Sequence, residues 1–353
     1  MRKKILIDLE RLRYPYSGIA NVFRNLRAGL EANNCNLDLS FFGKFANSES
    51  QRQWQKWHKF YENFSDKYDI VHVSHQLSSY FQKDYKKTIK ILTLHDLNFL
   101  HENLSDSKKE KMLTKVNNNV KNADYIVFIS EYAKTDFEKN QQLFKLNKLK
   151  AFHVIHNGIK LPDAKDYDLG QFEFLKQKKY ILNIGVLFDK KNQISLVRML
   201  PYINEDLVLL ASAEKEPYAS EVRATIKELN LADRVHFLRN VSEEEKYALI
   251  QNCEAMCHPS IAEGFGIPPI EAMAFGKAVF LSKYTSLPEI GGDAAYYFDN
   301  FEAKQMAEFY QDKMKFYHEN KVLEENKIKD WAKQFDYKVM AFNYLEFYSK
   351  VLR

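Results

Sequence analysis

Short apolar runs alternate with helical stretches along the whole chain. In the first half the runs are Lys4–Leu9, Leu37–Phe42, Ile70–Val73, Ile89–Leu94, Tyr125–Ile129 and Phe152–Ile155. In the second half they are Tyr180–Ile184, Leu207–Leu210, Val235–Leu238, Ala255–Cys257, Ala278–Leu281 and Ala295–Phe298. Runs this short predict buried strands, and stretches such as 19–30 and 107–120 predict the helices between them. Strands that alternate with helices predict an α/β protein with a parallel sheet in each half.

A polar, loop-like segment, residues 162–168, separates the two halves. We predict a Rossmann-like, doubly wound domain over residues 1–165 and a second one over residues 166–336. A chain of 353 residues has room for both, because one domain takes about 150 residues. Residues 337–353 carry aromatic side chains at helical spacing and are predicted to form a C-terminal helix.

Composition limits the class of protein. The sequence contains no apolar run of 18 residues, so we expect no transmembrane helix. The basic N-terminus leads directly into a short strand, which argues against a signal peptide. Three cysteines in so long a chain argue against a disulfide framework and for a reducing, cytoplasmic location. Cys253, Cys257 and His258 lack a fourth metal ligand at suitable spacing, so a buried strand is the preferred interpretation.

Charge is distributed unevenly around a net value of +5. Residues 1–165 contain 28 Lys and Arg against 18 Asp and Glu, whereas the remaining residues contain 24 against 29. The basic half predicts an anionic partner. No nucleic-acid motif is present, so we expect an anionic membrane surface or a pyrophosphate-linked lipid, and no nucleic acid. Segment 54–64 has tryptophans and lysines at helical spacing, which fits a membrane-facing helix or a helix packed on its own sheet.

The segment from Glu263 to Glu271 carries the most specific chemical signal. A Gly-Phe-Gly turn follows Glu263, and Pro268 and Pro269 stand where a helix begins. Glycine allows a ligand to approach the backbone, and proline suits the first turn of a helix. The N–H groups and dipole of a helix N-terminus bind phosphate, and a carboxylate on each side accepts hydrogen bonds from hydroxyl groups. Phosphate and hydroxyls together indicate a sugar nucleotide.

This segment, with Cys257-His258-Pro259-Ser260 before it and Ser286-Leu287-Pro288-Glu289-Ile290 after it, resembles the family 4 retaining glycosyltransferases of the two-Rossmann, or GT-B, type. Their signature is two glutamates separated by seven residues, preceded by a Pro-Ser strand end and followed by a Pro-Glu turn. The resemblance implies two domains that face each other across a cleft, with the acceptor on the first and the nucleotide-sugar donor on the second. It also implies that the C-terminal helix packs back on the N-terminal domain.

The same resemblance implies roles for the signature residues. Glu263 would accept hydrogen bonds from hydroxyl groups of the donor sugar and take part in catalysis, and Glu271 would bind the ribose hydroxyls of the nucleoside. The backbone of Phe265 and Gly266 would approach the donor sugar, and the backbone of Gly266 and Ile267 would approach the diphosphate.

Further candidates follow other predicted strands. Gly18 stands where the family has a glycine-rich loop near the diphosphate, usually with two adjacent glycines, and an ordinary turn fits it as well. His95 follows the run Ile89–Leu94 and matches a histidine that lies beside the transferred sugar in relatives, so it is a candidate for catalysis and sugar binding. Asn240 and Val241 stand where relatives contact the nucleoside base with backbone groups.

Lys190 and Lys191 follow the first strand of the second domain. Expulsion of a nucleoside diphosphate requires neutralisation of the leaving phosphate, and Lys or Arg clamps do this without a metal. Both lysines are candidates for diphosphate binding; Lys191 matches the stronger family position and is also a catalytic candidate. Asp166 and Asp168 match the Asp-x-Asp metal motif of another glycosyltransferase architecture but lie in the predicted linker. We therefore expect no required metal and no cofactor beyond the nucleoside diphosphate sugar co-substrate.

The sequence thus predicts a retaining, metal-independent glycosyltransferase in the cytoplasm, peripheral on the inner face of the plasma membrane. It would move a hexose of the mannose or glucose type to a saccharide or lipid-linked acceptor in surface polysaccharide, lipopolysaccharide or glycolipid synthesis. Two alternatives stay open. One is a sugar-nucleotide epimerase or a phosphorylase on the same fold, and the other is a non-catalytic partner subunit.

Overall fold

The computed structural model describes residues 2–13, 18–33, 36–43, 51–53, 67–102 and 104–353. The segment 54–64 lies outside the described residues. The chain forms two compact units, residues 1–160 with 335–353, and residues 161–334. These divisions fall a few residues before the predicted ones. The reason is that Ile159 is bound to the returning chain: its N–H donates to Phe335 O at 2.9 Å, and its carbonyl accepts from Tyr337 N at 2.9 Å.

The first unit is built on a parallel sheet. Its strands are β1 (Lys3–Asp8), β2 (Leu37–Gly43), β3 (Gln51–Gln53), β4 (Ile70–Val73), β5 (Ile89–Leu94), β6 (Tyr125–Phe128) and β7 (Ala151–Val154). Their order in the sheet is β3-β2-β1-β4-β5-β6-β7. The helices of the unit are α1 (Gly18–Ala32), α2 (Asn98–His101), α3 (Asp106–Val120), α4 (Glu131–Lys139) and the C-terminal α12 (Tyr337–Val351). Ile5 to Ile7 of β1 are fully buried, as expected for a strand covered on both faces.

The C-terminal helix α12 packs on the first unit. Against α1 the approach is close, because a Cβ atom on Gly29 would lie 2.6 Å from Ala341 Cβ. Beneath α12 runs a buried polar chain: His72 Nδ1 lies 2.7 Å from Tyr348 OH, and His72 Nε2 lies 2.7 Å from Thr93 Oγ1. Burial lowers the pKa of His72 to about 3, so the ring is neutral at physiological pH. Shape and hydrogen bonding together therefore fix α12 on this unit.

The second unit has its own parallel sheet. Its strands are β8 (Tyr180–Ile184), β9 (Asp206–Leu210), β10 (Val235–Leu238), β11 (Ala255–His258), β12 (Ala278–Leu281) and β13 (Tyr296–Tyr297). Its helices are α5 (Gln193–Met199), α6 (Tyr218–Glu228), α7 (Glu243–Asn252), α8 (Ile267–Ala274), α9 (Leu287–Gly291), α10 (Ala303–Glu319) and α11 (Lys321–Ala332). The strand order is β10-β9-β8-β11-β12-β13, so the direction of winding reverses between β8 and β11. In the described ranges no helix combines the length and hydrophobicity that a membrane span requires.

Candidate functional site

The candidate site lies in the second unit, where the loops after β8 and β11 meet. In an open parallel sheet, ligands bind at the carboxyl ends of the strands between which the order reverses. The two loops are joined through the backbone, because Ile261 N donates to Lys190 O at 2.8 Å. Asn192 adds a longer hydrogen bond, from Nδ2 to Pro259 O at 3.4 Å. Lys191 and Glu263, which lie 72 residues apart in sequence, are thereby brought together.

Glu263 is the central carboxylate of this site. Its Oε1 accepts a hydrogen bond from His258 Nε2 at 2.6 Å and one from Ser260 Oγ at 3.3 Å. The same oxygen forms an ion pair with Lys191 Nζ, and the two side chains are only 12% and 16% exposed. Burial by itself would raise the pKa of Glu263, but the Lys191 charge and the His258 hydrogen bond hold that pKa well below its usual range. The carboxylate is therefore ionised and held in place.

The turn before α8 has the geometry that its glycines suggest. Gly266 precedes the first helical residue and has a φ of +110°, a conformation that disfavours any side chain. Space is also short, since a Cβ atom there would lie 3.1 Å from Leu287 Cδ2. Ser286 Oγ donates to Phe265 O at 2.9 Å and fixes the turn from the other side. Because Pro268 and Pro269 have no N–H, the donors of the helix start are those of Ile267 and Gly266.

Glu271 is paired with a lysine that the sequence did not reveal. Glu271 is buried on α8, and its Oε1 lies 2.5 Å from Lys246 Nζ on α7. Burial raises the pKa of Glu271, more than the neighbouring Lys246 charge lowers it. Lys246 lies just inside α7, a helix that Ser242 and Glu245 start with a reciprocal capping box. This ion pair joins α8 to the helix that follows Asn240 and Val241.

The remaining candidates of the second unit are placed differently. Lys190 Nζ lies 5.4 Å from the centre of the Phe188 ring, whereas Lys191 points to Glu263. Asn240 is exposed and has a φ of +53°, and Val241 is half-buried. The structure thus separates the two lysines into different environments, which the sequence did not.

Gly18 and His95 belong to the first unit. Gly18 is the exposed first residue of α1. His95 directly follows β5 and is 3% exposed, with Nε2 2.9 Å from Ser74 O and its ring stacked on His75. Burial lowers the pKa of His95 to about 4. The imidazole is therefore neutral, and it donates from Nε2 to the Ser74 carbonyl, which leaves Nδ1 as an acceptor.

Asp8 is a buried acid that sequence reasoning missed. It ends β1, is 1% exposed, and accepts hydrogen bonds from Ser78 Oγ at 2.7 Å and Glu10 N at 3.0 Å. Burial and the nearby Glu10 charge raise the pKa of Asp8 to about 7. The only sequence signal was an acidic residue inside an otherwise apolar run.

Two sequence patterns that could suggest a metal serve the fold of the second unit. Cys253 and Cys257 are buried free thiols; Cys253 directly follows α7, and Cys257 lies within β11. Asp168 Oδ1 accepts the N–H of Gly170 at 3.0 Å and so closes a local turn, while Asp166 is exposed. Across the described residues there is no group of three or more His, Cys, Asp or Glu side chains that could hold a metal ion.

Sequence comparison places the second unit among known proteins. Residues 166–330 match the family described as "Glycosyl transferases group 1". The O-antigen chain mannosyltransferase RfbU of Salmonella typhimurium is 27% identical over 209 residues, which cover 58% of this chain and 55% of that protein. The MMP alpha-(1->4)-mannosyltransferase of Mycolicibacterium hassiacum is 37% identical over 90 residues, 26% of this chain and 22% of that protein. The matched stretches thus span about half or less of these relatives.

Solved structures resemble the chain over almost its whole length. A sucrose-phosphate synthase from Thermosynechococcus elongatus has a TM-score of 0.76 at 19% identity and covers 99% of both chains. HepE of Anabaena, in complex with UDP and glucose, has a TM-score of 0.70 at 17% identity, over 99% of this chain and 100% of that one. WaaG, a glycosyltransferase of lipopolysaccharide biosynthesis, has a TM-score of 0.70 at 13% identity, over 97% and 99%.

Proposed function

Because residues 166–330 form a glycosyl transferases group 1 domain in a chain of GT-B fold, we propose that this protein is a retaining glycosyltransferase. Its substrate is a nucleoside diphosphate hexose, and its acceptor is a saccharide or a lipid-linked saccharide. The predicted fold and the predicted glycosyltransferase domain are confirmed by the likenesses above. The observation that supports the proposal most strongly is the contact of Lys191 with Glu263 beside the N-terminus of α8.

In this proposal, different residues of the site bind different parts of the donor. Lys191 and the N–H groups of Gly266 and Ile267 stabilise the negative charge that develops on the departing diphosphate. Glu263 accepts hydrogen bonds from the sugar hydroxyls, and Glu271 does so from the ribose hydroxyls. Because a lysine and a helix N-terminus supply positive charge, we propose a reaction that needs no metal.

We propose a same-face displacement, which the resemblance to the retaining glycosyltransferases suggests. The acceptor hydroxyl oxygen forms a bond to the anomeric carbon on the face from which the diphosphate leaves. The bond from that carbon to the diphosphate oxygen breaks, and the hydroxyl proton passes to the departing diphosphate. The configuration of the sugar is therefore retained. In the first unit, neutral His95 offers Nδ1 as an acceptor for a sugar hydroxyl.

The names of the relatives favour mannose and surface polysaccharide. RfbU is named an O-antigen chain mannosyltransferase, and WbdA of Escherichia coli, 28% identical over 138 residues, is named a serotype-specific mannosyltransferase. We propose mannose as the preferred sugar and a growing O-antigen-type saccharide as the acceptor. UDP-glucose is the second candidate donor, since HepE carries UDP and glucose in its structure.

A thermal-shift panel tests the proposed function. The panel contains UDP, GDP, ADP and CMP with their sugars, each with and without a chelator. One nucleotide is expected to raise the melting temperature, because a ligand at 100 times its Kd stabilises by about 2.7 kcal/mol. The matched control is Glu271→Ala, which should lose most of that shift. A protein whose melting temperature responds to none of these nucleotides is not a nucleotide-sugar transferase.

Turnover assays separate the alternatives on the same fold. With the donor found in the panel, an epimerase converts the sugar nucleotide without any acceptor, and a phosphorylase requires inorganic phosphate. A non-catalytic subunit binds nucleotide but transfers nothing. The proposed transferase releases nucleoside diphosphate only when a saccharide acceptor is present, apart from slow hydrolysis.

We also propose that the first unit rests on an anionic membrane surface. The α3 helix exposes three lysines, Lys108, Lys111 and Lys115. Each lysine near such a surface contributes about 1 kcal/mol. The protein is expected to bind anionic vesicles at low salt, and reversal of the three charges to glutamate should remove most of that binding. The matched control reverses three exposed lysines of the second unit, Lys215, Lys227 and Lys304. Equal loss in both triple variants, or no binding at low salt, contradicts a surface on α3.

A further inference from the structure

His258 contacts Glu263 from the end of strand β11. The roles in donor binding and catalysis proposed above do not include His258. It is the last residue of β11, is 1% exposed, and pairs in register with Leu281 of β12. Its Nε2 lies 2.6 Å from Glu263 Oε1. Strand pairing fixes the backbone of His258, and its side chain is short. The position of Nε2 is therefore better defined than that of the ammonium group at the end of a long, flexible lysine side chain.

The surroundings of the ring decide where its proton lies. Nδ1 of His258 is buried and has no hydrogen-bond partner among the residues that the structure describes. A proton on Nδ1 would be a buried donor without an acceptor, which is unfavourable. The ring therefore carries a proton on Nε2, and Nε2–H donates to Glu263 Oε1.

Lys191 forms an ion pair with Glu263, while His258 and Ser260 donate hydrogen bonds to it. All three groups meet Oε1, and within the described parts of the chain Oε2 accepts no hydrogen bond. Oε2 is thus the oxygen available to a sugar hydroxyl. When Lys191 turns to the diphosphate, Glu263 loses its cation, and His258 provides the shorter of the two remaining contacts.

We propose that His258 is a positioning residue, which keeps Glu263 at the end of β11 in the donor complex after Lys191 has moved to the diphosphate. The inference rests on the proposed function, since it requires a donor sugar that Glu263 binds. Without the His258 donor, Glu263 would be free to follow Lys191 toward the diphosphate, or to turn away from the sugar. Sugar transfer should then suffer more than nucleotide binding.

Two variants separate the hydrogen bond from the packing of the ring. His258→Leu keeps a similar volume without a donor, and His258→Gln keeps an N–H group near the place of Nε2. We expect H258L to lower kcat for transfer by about 10- to 100-fold, the effect of losing a hydrogen bond to a charged group. H258Q should recover most of this loss. The Kd of the nucleoside diphosphate should stay within about 3-fold in both variants, because Lys191 and Glu271 are intact.

A second measurement does not depend on activity. The ring nitrogens of His258, assigned by the loss of their ¹⁵N resonances in H258Q, should show a proton on Nε2 in the ligand-free protein. A ring without a proton on Nε2, an unchanged kcat in H258L, or an H258Q variant no better than H258L overturns the role of His258. If the wild-type protein itself neither binds nucleotide nor transfers sugar, the proposed function is what fails.

Discussion

Replacement of Glu263 by glutamine is expected to reduce sugar transfer by about 100-fold or more, while nucleoside diphosphate still binds. The amide keeps the shape of the side chain but loses the charge that the sugar hydroxyls would meet. Lys191 is at the same time released from its ion pair with Glu263. The affinity for nucleoside diphosphate should therefore be unchanged or higher, because the Lys191 ammonium no longer has to leave the Glu263 carboxylate in order to contact the diphosphate.

Initial rates with the donor sugar and calorimetric Kd values for the nucleoside diphosphate measure the two effects separately. Ser260→Ala serves as the matched control, since the Ser260 hydroxyl makes the longer, 3.3 Å contact to the same oxygen. Its effect on transfer should be much smaller. Wild-type turnover in E263Q would remove Glu263 from the site, and a parallel loss of nucleotide affinity would assign it to the nucleotide.

Replacement of Lys191 by methionine is expected to weaken nucleoside diphosphate binding, transfer and folding together. The diphosphate loses its cation, and Glu263 becomes a buried carboxylate without a countercharge. Removal of one partner of a buried ion pair destabilises by about 3–5 kcal/mol. The exposed fractions of 16% and 12% place this pair near the lower end of that range.

The loss of stability should depend on pH in a defined direction. In the wild type the pKa of Glu263 lies below its usual range, so its stabilising contribution is present above about pH 4.3 and is lost as the pH falls. In K191M burial dominates and raises that pKa, so the folded state loses stability as the pH rises. The difference between the two proteins should be largest near pH 7 and smaller near pH 4, where Glu263 is protonated in K191M but still ionised in the wild type.

Denaturant unfolding at the two pH values checks this prediction. Lys190→Met is the control, because Lys190 Nζ lies over the Phe188 ring and its side chain does not pair with Glu263. A difference in unfolding free energy that is the same at pH 4 and pH 7 would show that the ion pair does not decide the stability of this site. A larger loss of nucleotide affinity in K190M than in K191M would transfer the diphosphate contact to Lys190.

Most of the sheet architecture could be predicted from hydrophobic runs. β8 and β12 have the predicted bounds because they are central or nearly central strands, covered on both faces and apolar except for the buried Asn183. The prediction missed β3, which consists of Gln51, Arg52 and Gln53 at the edge of its sheet. At the edge of the other sheet, β13 is only two residues long, against a predicted four. Edge strands bury less side chain, so their sequences carry less of the signal.

Part of the candidate site could also be predicted from the sequence, but for a different reason. The loop from Glu263 to Gly266 has local requirements, a positive φ and a helix start, that leave marks on consecutive residues. The pairs that hold the carboxylates are long-range contacts: Lys246 is 25 residues from Glu271, and Lys191 is 72 residues from Glu263. From the sequence alone, a lysine that forms such a long-range ion pair cannot be distinguished from a lysine exposed to solvent. In the sequence His258 stood out as a metal-ligand candidate and as part of the signature segment, but not as a partner of Glu263, because that contact is defined by the fold.

The return of the chain to the first unit makes that unit discontinuous. Residues 161–334, which form the second unit, all precede α12 in the chain, whereas the first unit includes α12. Domains usually fold as units during synthesis, the N-terminal one first. For this chain we expect the first unit to be completed last. Until α12 is synthesised, the His72 and Thr93 side chains lack the Tyr348 and Tyr344 hydroxyls that bind them. During synthesis we therefore expect the first unit to reach its native state after the second unit, although its synthesis begins first.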